Sequence, residues 1–325
     1  MIYYITRRIL YAVPLLLGVN ILTFILFFII NSPDDMARMQ LGQKRVTEAA
    51  IINWKQQHGY DLPLFWNEQA RSSEKLSETI FYQKSMGLFL FHFGVSDSGR
   101  DISSDIKERA LPSLSLALPS LILGLITHIG FALIMILFRN SRLERLGMIF
   151  CIVLMSISSL FYIISGQFIF GKIMKLVPIS GFDDGLSALR FLLLPIMISV
   201  FSGLGSGGRW YRSIFLEESG KDYIRTARAK GLTEIQTLFR HVLPNAMIPI
   251  LTGVVVILPS LFMGSLMLES FFGIPGLGSY TIDAINSQDF AIVRAMVFLG
   301  SVLYILGLLL TDVSYSIVDP RIRIK

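Results

Sequence analysis

The sequence has few charged residues and a single cysteine. Charged residues make up only 16% of the chain and hydrophobic residues 53%, whereas soluble domains carry about 25% charged residues. Such a chain lacks the polar groups to cover a globule, which excludes an ordinary soluble enzyme, a disordered chain and a collagen-like fibre. Cys151 stands alone in an apolar run, so no intrachain disulfide is possible and the thiol is predicted to fill the core.

Sequence motifs for ATP hydrolysis and for several hydrolytic reactions are also missing. There is no Gly-x-x-x-x-Gly-Lys-Ser/Thr, so the chain has no P-loop of its own. Neither His-Glu-x-x-His nor Gly-x-Ser-x-Gly occurs, which argues against an intramembrane enzyme, and no catalytic or metal-binding residues are predicted. Residues 203–208 match Gly-x-Gly-x-x-Gly, but they end an apolar run. Gly203 and Gly207 are therefore predicted to allow close helix packing.

Six apolar runs are long enough to cross a bilayer as helices, which takes about 20 residues. Lipid offers the backbone no hydrogen-bond partners, and the alternation typical of barrel strands is not seen, so helices are favoured. The first run is too long for the core of a signal peptide and is predicted to be retained. The predicted spans are 9–30, 111–138, 146–171, 191–208, 242–268 and 295–311.

The basic residues lie beside the ends of these runs. Lys and Arg exceed Asp and Glu, 29 against 23, and four basic segments share one side of the membrane if there are six spans. The positive-inside rule makes that side the cytoplasm and places both termini there. No basic face interleaved with aromatics is present, which argues against nucleic acid. The predicted segments are an N-terminal transmembrane helix (1–30), an extracytoplasmic segment (31–110) and a core of five transmembrane helices (111–325).

The segment between spans four and five predicts two short helices joined by a bend. Gly231 is suited to end the first helix, and Thr233 with Gln236 forms a capping-box pattern that starts the second. These residues alone leave two interpretations equally open: a helix lying on lipid headgroups and a helix docking into a groove of a partner. An apolar face at helical spacing follows the capping box and comprises Ile235, Leu238, Phe239 and Val242.

The same segment resembles the cytoplasmic EAA loop of the membrane subunits of ABC importers. That loop reads Glu-Ala-Ala, three residues, Gly, nine residues, then Ile-x-Leu-Pro. Here the matching positions, at the same spacing, are Arg225-Thr226-Ala227, Gly231 and His241-Val242-Leu243-Pro244. Glu, the first Ala and Ile are thus replaced by Arg225, Thr226 and His241. The run 222–232 is very similar to the version found in the permeases for dipeptides, oligopeptides and nickel.

Other segments resemble that branch along nearly the whole chain, and the long segment after the first span resembles the B-type subunit. These segments are 5–10, 59–64, 93–96, 109–114, 177–181, 272–278 and 319–323. The resemblance implies a type I ABC importer permease, an all-α fold with six transmembrane helices in the bacterial inner membrane. It also implies a second permease subunit, two cytoplasmic ATPases that hold ATP and Mg²⁺, and an extracytoplasmic solute-binding protein.

The solute implied by the resemblance is a dipeptide or oligopeptide, with nickel or another small solute as the alternative. The chain itself would hold no cofactor, because ATP would be bound by the partner subunits. A secondary transporter independent of ATP is a less favoured alternative, since neither inverted repeats nor paired broken helices are found in the sequence. A receptor or scaffold without transport is a further alternative.

In this family the EAA loop forms a coupling helix that sits in a cleft of the ATPase. Residues 213–245 would form that loop, and closure of the ATPases would switch the transmembrane helices between inward and outward access. Ile235, Leu238 and Phe239 would supply the docking face. The residues assigned to coupling are Arg225, Thr226, Ala227, Arg228, Lys230, Gly231, Ile235, Leu238, Phe239, Arg240 and Pro244.

Two ionisable residues lie within or at the end of apolar runs, where such groups are candidates for the solute path. His128 is interpreted as a proton relay, a solute contact or a hydrogen-bonded structural histidine. Glu269 is interpreted as a contact for a solute amino group or for the binding protein, or as a charge at a helix end.

Overall fold

The computed structural model describes residues 2–42, 46–70 and 74–318, so the motif at 319–323 and the basic residues after the last span lie outside the described part. Within these ranges the only β pairing is an isolated antiparallel bridge between Val95 and Asp101. The α-helices are α1 (Ile2–Phe24), α2 (Pro33–Leu41), α3 (Glu48–His58), α4 (Gly87–Phe89), α5 (Ile102–Leu137), α6 (Arg142–Ser156), α7 (Ser159–Gly166), α8 (Ala188–Ser219), α9 (Asp222–Ala229), α10 (Glu234–Thr237), α11 (Leu243–Ile257), α12 (Leu266–Phe272), α13 (Leu277–Ser287) and α14 (Phe290–Val318).

Turns of other helical types extend or connect these helices. Each π-helical turn holds more residues than an α-helical turn, so it shifts the face that the following residues present. The π-helical turns are Ile25–Ile30, Tyr82–Met86, Gln167–Ile173 and Leu238–Val242, and the 3-10 turns are Gly185–Ser187 and Leu258–Met263.

Five helical stretches in the described residues are long and apolar enough to cross a membrane. They are Leu10–Ile30, Ile102–Leu137, Gly185–Ser219, Glu234–Met263 and Phe290–Thr311. A sixth candidate is the pair Arg142–Ser156 and Ser159–Ile173, whose two halves meet at 87°. The protein is an all-α membrane protein, and these six candidates match the predicted runs in position.

The third predicted span is not one continuous helix. α6 ends at Ser156, and α7 begins three residues later. Serines interrupt the apolar run at this point, and the Ser156 hydroxyl donates to the Ile152 carbonyl at 2.8 Å. The Tyr162 hydroxyl donates to the Leu154 carbonyl at 2.9 Å. The bond from Tyr162 supplies a carbonyl beside the break with a partner that lipid cannot provide.

The fifth span also ends earlier than predicted. α11 passes into a 3-10 turn that ends at Met263, and Gly264 follows with a φ of 70°. That φ lies in the left-handed region, which glycine adopts without strain. α12 begins two residues later, so Glu269 lies on a separate short helix rather than at the end of the span.

The described residues group into two compact units. The first consists of residues up to 110 together with 280–309. Its core joins the end of α1 to α2, α3 and the segment that follows them. Trp54 and Tyr60 are buried in it, whereas Phe65, Trp66 and Tyr82 are exposed. The buried members of this core are Phe24, Phe27, Phe28, Met36, Ala37, Ile51, Trp54, Tyr60 and Ile80.

The second unit consists mainly of residues 111–279. One of its hydrophobic clusters joins α5, α8, α9 and α11, and another joins α5, α7, α8 and α12. Cys151 is fully buried in this unit, as predicted. The predicted boundaries at residues 30 and 110 mark where the chain leaves and re-enters the membrane. The compact units are defined by packing and do not test those positions, so these boundaries stay a prediction.

Candidate coupling surface and solute cavity

The loop between α8 and α11 contains two short helices joined by a bend at Gly231. α9 ends just before this residue, whose φ of 85° lies in the left-handed region. The Gly231 N–H donates to the Arg228 carbonyl at 2.9 Å, and the Leu232 N–H donates to the Ala227 carbonyl at 3.4 Å. These bonds satisfy carbonyls at the helix end. The helix end predicted at Gly231 is therefore confirmed.

α10 begins with the capping box predicted from the sequence. The Gln236 N–H donates to the Thr233 hydroxyl at 3.3 Å, and the Thr233 N–H donates to the Gln236 side chain at 3.1 Å. Arg228 and Glu234 form an ion pair across the bend, with 2.9 Å between Nε and Oε1. Exposed ion pairs of this kind add little stability. The bend is therefore held chiefly by the hydrogen bonds that cap the end of α9 and the start of α10.

The inner face of this loop belongs to the core of the second unit. Ile224 of α9 is fully buried, and Leu238 and Val242 are buried on the π-helical turn after α10. The spacing of Leu238 predicts a place in the docking face, but this residue is only 4% exposed and packs inward. Its place in the docking face is therefore corrected. The same cluster contains Ala132, Leu133 and Ile136 of α5, Tyr211 and Phe215 of α8, and Ala246 and Ile250 of α11.

The outer face carries two exposed apolar side chains. Ile235 is 56% exposed and Phe239 is 55% exposed. They stand four residues apart, so they lie on the same side of the helix. Ala227 is buried on the inner side of α9. The other residues assigned to coupling are also exposed, namely Arg225, Thr226, Arg228, Lys230, Gly231, Arg240 and Pro244.

A buried carboxylate ties the end of α8 to the start of α9. Glu218 accepts a hydrogen bond from the Tyr223 hydroxyl and another from the Lys221 ammonium at 2.6 Å. Burial raises the pKa of Tyr223, and the hydrogen bond to Glu218 raises it further. Tyr223 therefore stays a neutral donor, and the two helices keep a fixed relation at this corner.

A cavity of about 350 Å³ lies behind the bend, and a second of about 430 Å³ lies between longer helices of the same unit. The second, here called the α5–α8 cavity, is lined by α5, α8 and the residues that end the fifth span. His128 contributes to its wall. The sequence indicates this residue as a candidate for the solute path, and the structure places it at a cavity suited in size to a small ligand.

His128 also has a structural contact. Its Nε2 lies 2.9 Å from the Val200 carbonyl oxygen, which can only accept, so Nε2 carries the proton. The imidazole packs against Gly203 and Gly207 of α8, where an added Cβ would meet the ring. The predicted role of these glycines in close packing is thereby confirmed, and the residue that packs against them is His128.

Glu269 is fully buried and satisfied within the second unit. Its Oε1 accepts from the Ser113 hydroxyl at 2.9 Å and from the Ser265 N–H at 3.0 Å. Its Oε2 accepts from the Gly278 and Ser279 N–H groups at 2.7 and 3.1 Å. Burial raises the pKa of Glu269, and these four hydrogen bonds oppose that effect. The carboxylate is therefore held inside the protein and does not face the α5–α8 cavity.

Close backbone approach makes this arrangement possible. An added Cβ on Gly264 or Gly276 would overlap the Glu269 carboxylate and the Ser113 hydroxyl. Ser113 is also the acceptor for the Leu277 N–H at 2.7 Å. The sequence does not indicate Ser113, because its partner lies 156 residues away and no local pattern connects the two.

A buried ion pair between α6 and α8 is likewise invisible in the sequence. Arg212 donates to Glu144, which also accepts from the Asn140 N–H at 2.6 Å. In the sequence, both charged residues lie near clusters of basic residues. Those clusters predict only the orientation of the chain in the membrane, not this ion pair. Among the described residues, no group of three or more His, Cys, Asp or Glu side chains is arranged to hold a metal ion.

Two family models match the chain. The model described as "binding-protein-dependent transport system inner membrane component" matches residues 128–324, which include the loop, the α8 side of the cavity and Glu269. The chain belongs to this family. A second model, for the N-terminal part of such membrane components, matches residues 1–72. The permease function and the type I ABC importer fold that the resemblance implies are thereby confirmed.

Curated members of this family align over nearly the full length of the chain. The glutathione transport system permease protein GsiC of Salmonella typhimurium is 30% identical over 326 residues, covering 100% of both chains. The oligopeptide transport system permease protein AppB of Bacillus subtilis is 29% identical over 98% of this chain and 99% of its own. The probable D,D-dipeptide transport system permease protein DdpB of Escherichia coli is 30% identical over 94% and 93%.

Proposed function

We propose that this permease couples ATP hydrolysis on partner ATPases to the import of short peptides. The loop containing α9 and α10 would dock on an ATPase in the cytoplasm, with both termini of the chain on the same side. A second permease subunit would complete the path, and an extracytoplasmic binding protein would deliver the solute.

The observation that carries this proposal is the pair Ile235 and Phe239. Both side chains are more than half exposed, although the opposite face of the same segment is buried in the core. Exposed apolar residues on a rigid helix supply binding energy when a partner groove covers them. Arg225, Lys230 and Arg240 are exposed in the same loop and are suited to the polar rim of such an interface.

The inner face supplies a physical route for transmission. Ile224, Leu238 and Val242 of the loop share one buried cluster with residues of α5, α8 and α11. Because packed side chains resist independent movement, a displacement of the loop would move the ends of three transmembrane helices. The same helices line the α5–α8 cavity or continue into its wall, so ATPase motion and cavity shape would be linked.

The identity of the solute is supported by relatives rather than by a side-chain signature. The three relatives named above are permeases for oligopeptides, glutathione and D,D-dipeptides, all of which contain peptide bonds. A short peptide is therefore the proposed solute, and nickel or another small solute remains the alternative to be tested.

Partner capture from native membranes tests the coupling surface. We expect the gently solubilised wild-type chain to retain an ATPase that contains a P-loop, together with a second permease. Phe239→Asp should abolish ATPase recovery, because docking would bury an unpaired carboxylate. Leu143→Asp is the matched control, since Leu143 is 58% exposed and lies outside the loop.

The outcome separates three possibilities. Loss of the ATPase from Phe239→Asp but not from Leu143→Asp supports docking through this face. Equal recovery from both variants would show that the face does not dock and instead contacts lipid. A wild-type chain that purifies alone and moves solute into liposomes without ATP would overturn the importer proposal in favour of a secondary transporter.

A further inference from the structure

The α5–α8 cavity is mostly apolar, with a few polar groups in its wall. None of the described residues that line it is Asp, Glu, Lys or Arg. Hydroxyl groups and one imidazole interrupt an otherwise apolar wall, and they come from Ser120 and His128 of α5, Ser199 and Tyr211 of α8, and Ser260 and Ser265 near the end of the fifth span. A ligand in this cavity therefore meets hydrogen-bonding groups without a fixed charge.

The hydroxyl hydrogens at two of these positions are already used inside the protein. Ser120 donates to the Leu116 carbonyl at 2.7 Å, and Ser260 donates to the Ile257 carbonyl at 2.7 Å. Each hydroxyl oxygen keeps lone pairs that can accept a further hydrogen bond. These two side chains therefore offer acceptors, rather than donors, to anything inside the cavity.

The imidazole of His128 is held against α8. Its Nε2 donates to the Val200 carbonyl, and its Nδ1 packs against Gly207, which does not line the cavity. Glu269 does not line the cavity, since it is fully buried beside Gly264 and Ser265, which do line the wall. Ser120 and Ser260 thus supply neutral acceptors to the cavity, from which the charge of Glu269 is withheld.

We propose that this cavity binds the backbone N–H groups of the peptide during its passage, through Ser120 and Ser260. This inference rests on the proposed function, because it assumes a peptide solute. Neutral acceptors hydrogen-bond any amide N–H but distinguish poorly between charged and uncharged side chains. The permease would therefore recognise the feature that all peptides share, and charge selection would be left to other components.

The size of the cavity agrees with such a ligand. Its volume of about 430 Å³ falls within the range of roughly 300–1,000 Å³ found for small-molecule sites. A short peptide would also cover the leucines of α5 that line the wall. Water would otherwise fill these acceptor positions, and each lost protein–peptide hydrogen bond should reduce transport by about fivefold.

The test uses the complete transporter with its binding protein in proteoliposomes. The probes are labelled triglycine and labelled glycyl-sarcosyl-glycine, in which one backbone N–H is replaced by N-methyl. We expect the Ser120→Ala, Ser260→Ala double variant to slow triglycine uptake by about 25-fold, the product of two fivefold losses, and to slow the methylated peptide less. Ser120→Thr keeps the hydroxyl and should restore the rate that Ser120→Ala loses.

Two variants control for the loss of a serine as such. Ser115 of α5 donates to the Pro112 carbonyl at 2.7 Å, and Ser202 of α8 donates to the Ser199 carbonyl at 3.2 Å. Neither lines the cavity, so Ser115→Ala and Ser202→Ala should transport both peptides at the wild-type rate. Because both peptides are measured on the same preparation, their uptake ratio does not depend on how much transporter was reconstituted. The preference of the binding protein for one peptide is the same for every variant, so it cancels when variants are compared.

Each outcome decides a separate question. Uptake of both peptides that is unchanged, or slowed to the same extent, in the double variant would overturn the acceptor role of the cavity and leave the importer proposal intact. Failure of the wild-type transporter to move triglycine or any of a panel of short peptides, despite ATP hydrolysis, would overturn the peptide assignment and this inference with it.

Discussion

The Ser113 hydroxyl of α5 donates to the Glu269 carboxylate of α12 at 2.9 Å, across 156 residues of sequence. The same hydroxyl accepts the Leu277 N–H at the start of α13. One serine therefore joins α5 to α12 and to the start of α13. Glu269 also accepts from three backbone N–H groups, one at Ser265 just before α12 and two at Gly278 and Ser279 in α13. A buried acceptor with four donors is a structural centre rather than a contact for solute.

Replacing this carboxylate should destabilise the protein strongly. In Glu269→Gln an amide N–H₂ takes the place of one oxygen, so at least one buried donor faces another donor, at a cost of about 1–3 kcal/mol. Ser113→Ala should cost less, because the carboxylate keeps its backbone partners. The unfolding temperature of the purified chain in detergent measures both effects. An equal or smaller loss for Glu269→Gln would contradict the assigned role of the carboxylate.

The close packing of His128 against α8 leads to a second prediction. Gly207→Ala should destabilise the protein by about 1–3 kcal/mol, because the new Cβ overlaps the imidazole of His128. His128→Ala in the same chain should recover part of that loss by freeing the space. Gly130→Ala is the control, since a Cβ on that helical glycine meets nothing within 4 Å. Unfolding temperatures of the wild type, the two single variants and the double variant test the coupling, which is absent if the two losses simply add.

The bend in the coupling loop requires glycine for its backbone conformation alone. Gly231 has a φ of 85°, and an added Cβ there meets no neighbouring atom within 4 Å. Gly231→Ala should therefore cost about 1–2 kcal/mol through left-handed strain, while Gly231→Asn should cost less because asparagine tolerates this region. ATPase activity stimulated by solute and binding protein is the readout. If alanine and asparagine behave alike, strain at this position does not control coupling.

A carboxylate in the first unit makes stability depend on pH. Burial raises the pKa of Asp97 and the nearby Asp289 raises it further, while His58 at 3.7 Å, a hydrogen bond from Gln40 and the charge of Arg294 oppose the rise. The folded state therefore binds more protons than the unfolded chain above about pH 4. Stability should fall as pH increases through that window, up to the raised pKa of Asp97.

Asp97→Asn removes this titration and should flatten the profile. We expect the variant to be at least as stable as the wild type near neutral pH and to lose its advantage towards pH 4. Unfolding temperatures in detergent at closely spaced pH values, with Asp101→Asn as a control for an exposed carboxylate, measure the difference. Parallel profiles for wild type and Asp97→Asn would show that Asp97 does not carry the pH dependence.

The features that the sequence predicts correctly are those encoded by local chemistry. Gly231 ends a helix because of its backbone freedom, and Thr233 with Gln236 caps the next helix within four residues. Gly203 and Gly207 indicate close packing because small residues repeat on one helical face. Each of these signals is complete within one or two helical turns, so a single sequence is enough to recognise it.

The features that the sequence does not predict depend on distant partners or on altered helical geometry. Ser113 and Glu269 meet only after the chain folds, as do Glu144 and Arg212. Leu238 has the spacing of an outer residue in a regular α-helix, but a π-helical turn begins there and its side chain packs inward. The break after Ser156 is marked only by serines in an apolar run, a weak signal because serine is tolerated within membrane helices.

The π-helical turn at Leu238–Val242 fixes how far α10 is rotated about the helix axis relative to the fifth span. An α-helix advances about 100° per residue, so deleting one residue in this turn would rotate α10 by that angle while leaving α11 intact. The face carrying Ile235 would then point away from its present direction, although both helices would still form. The number of residues in this turn therefore sets the direction in which the face carrying Ile235 points. A change in that number would alter the orientation in which the face meets a partner ATPase.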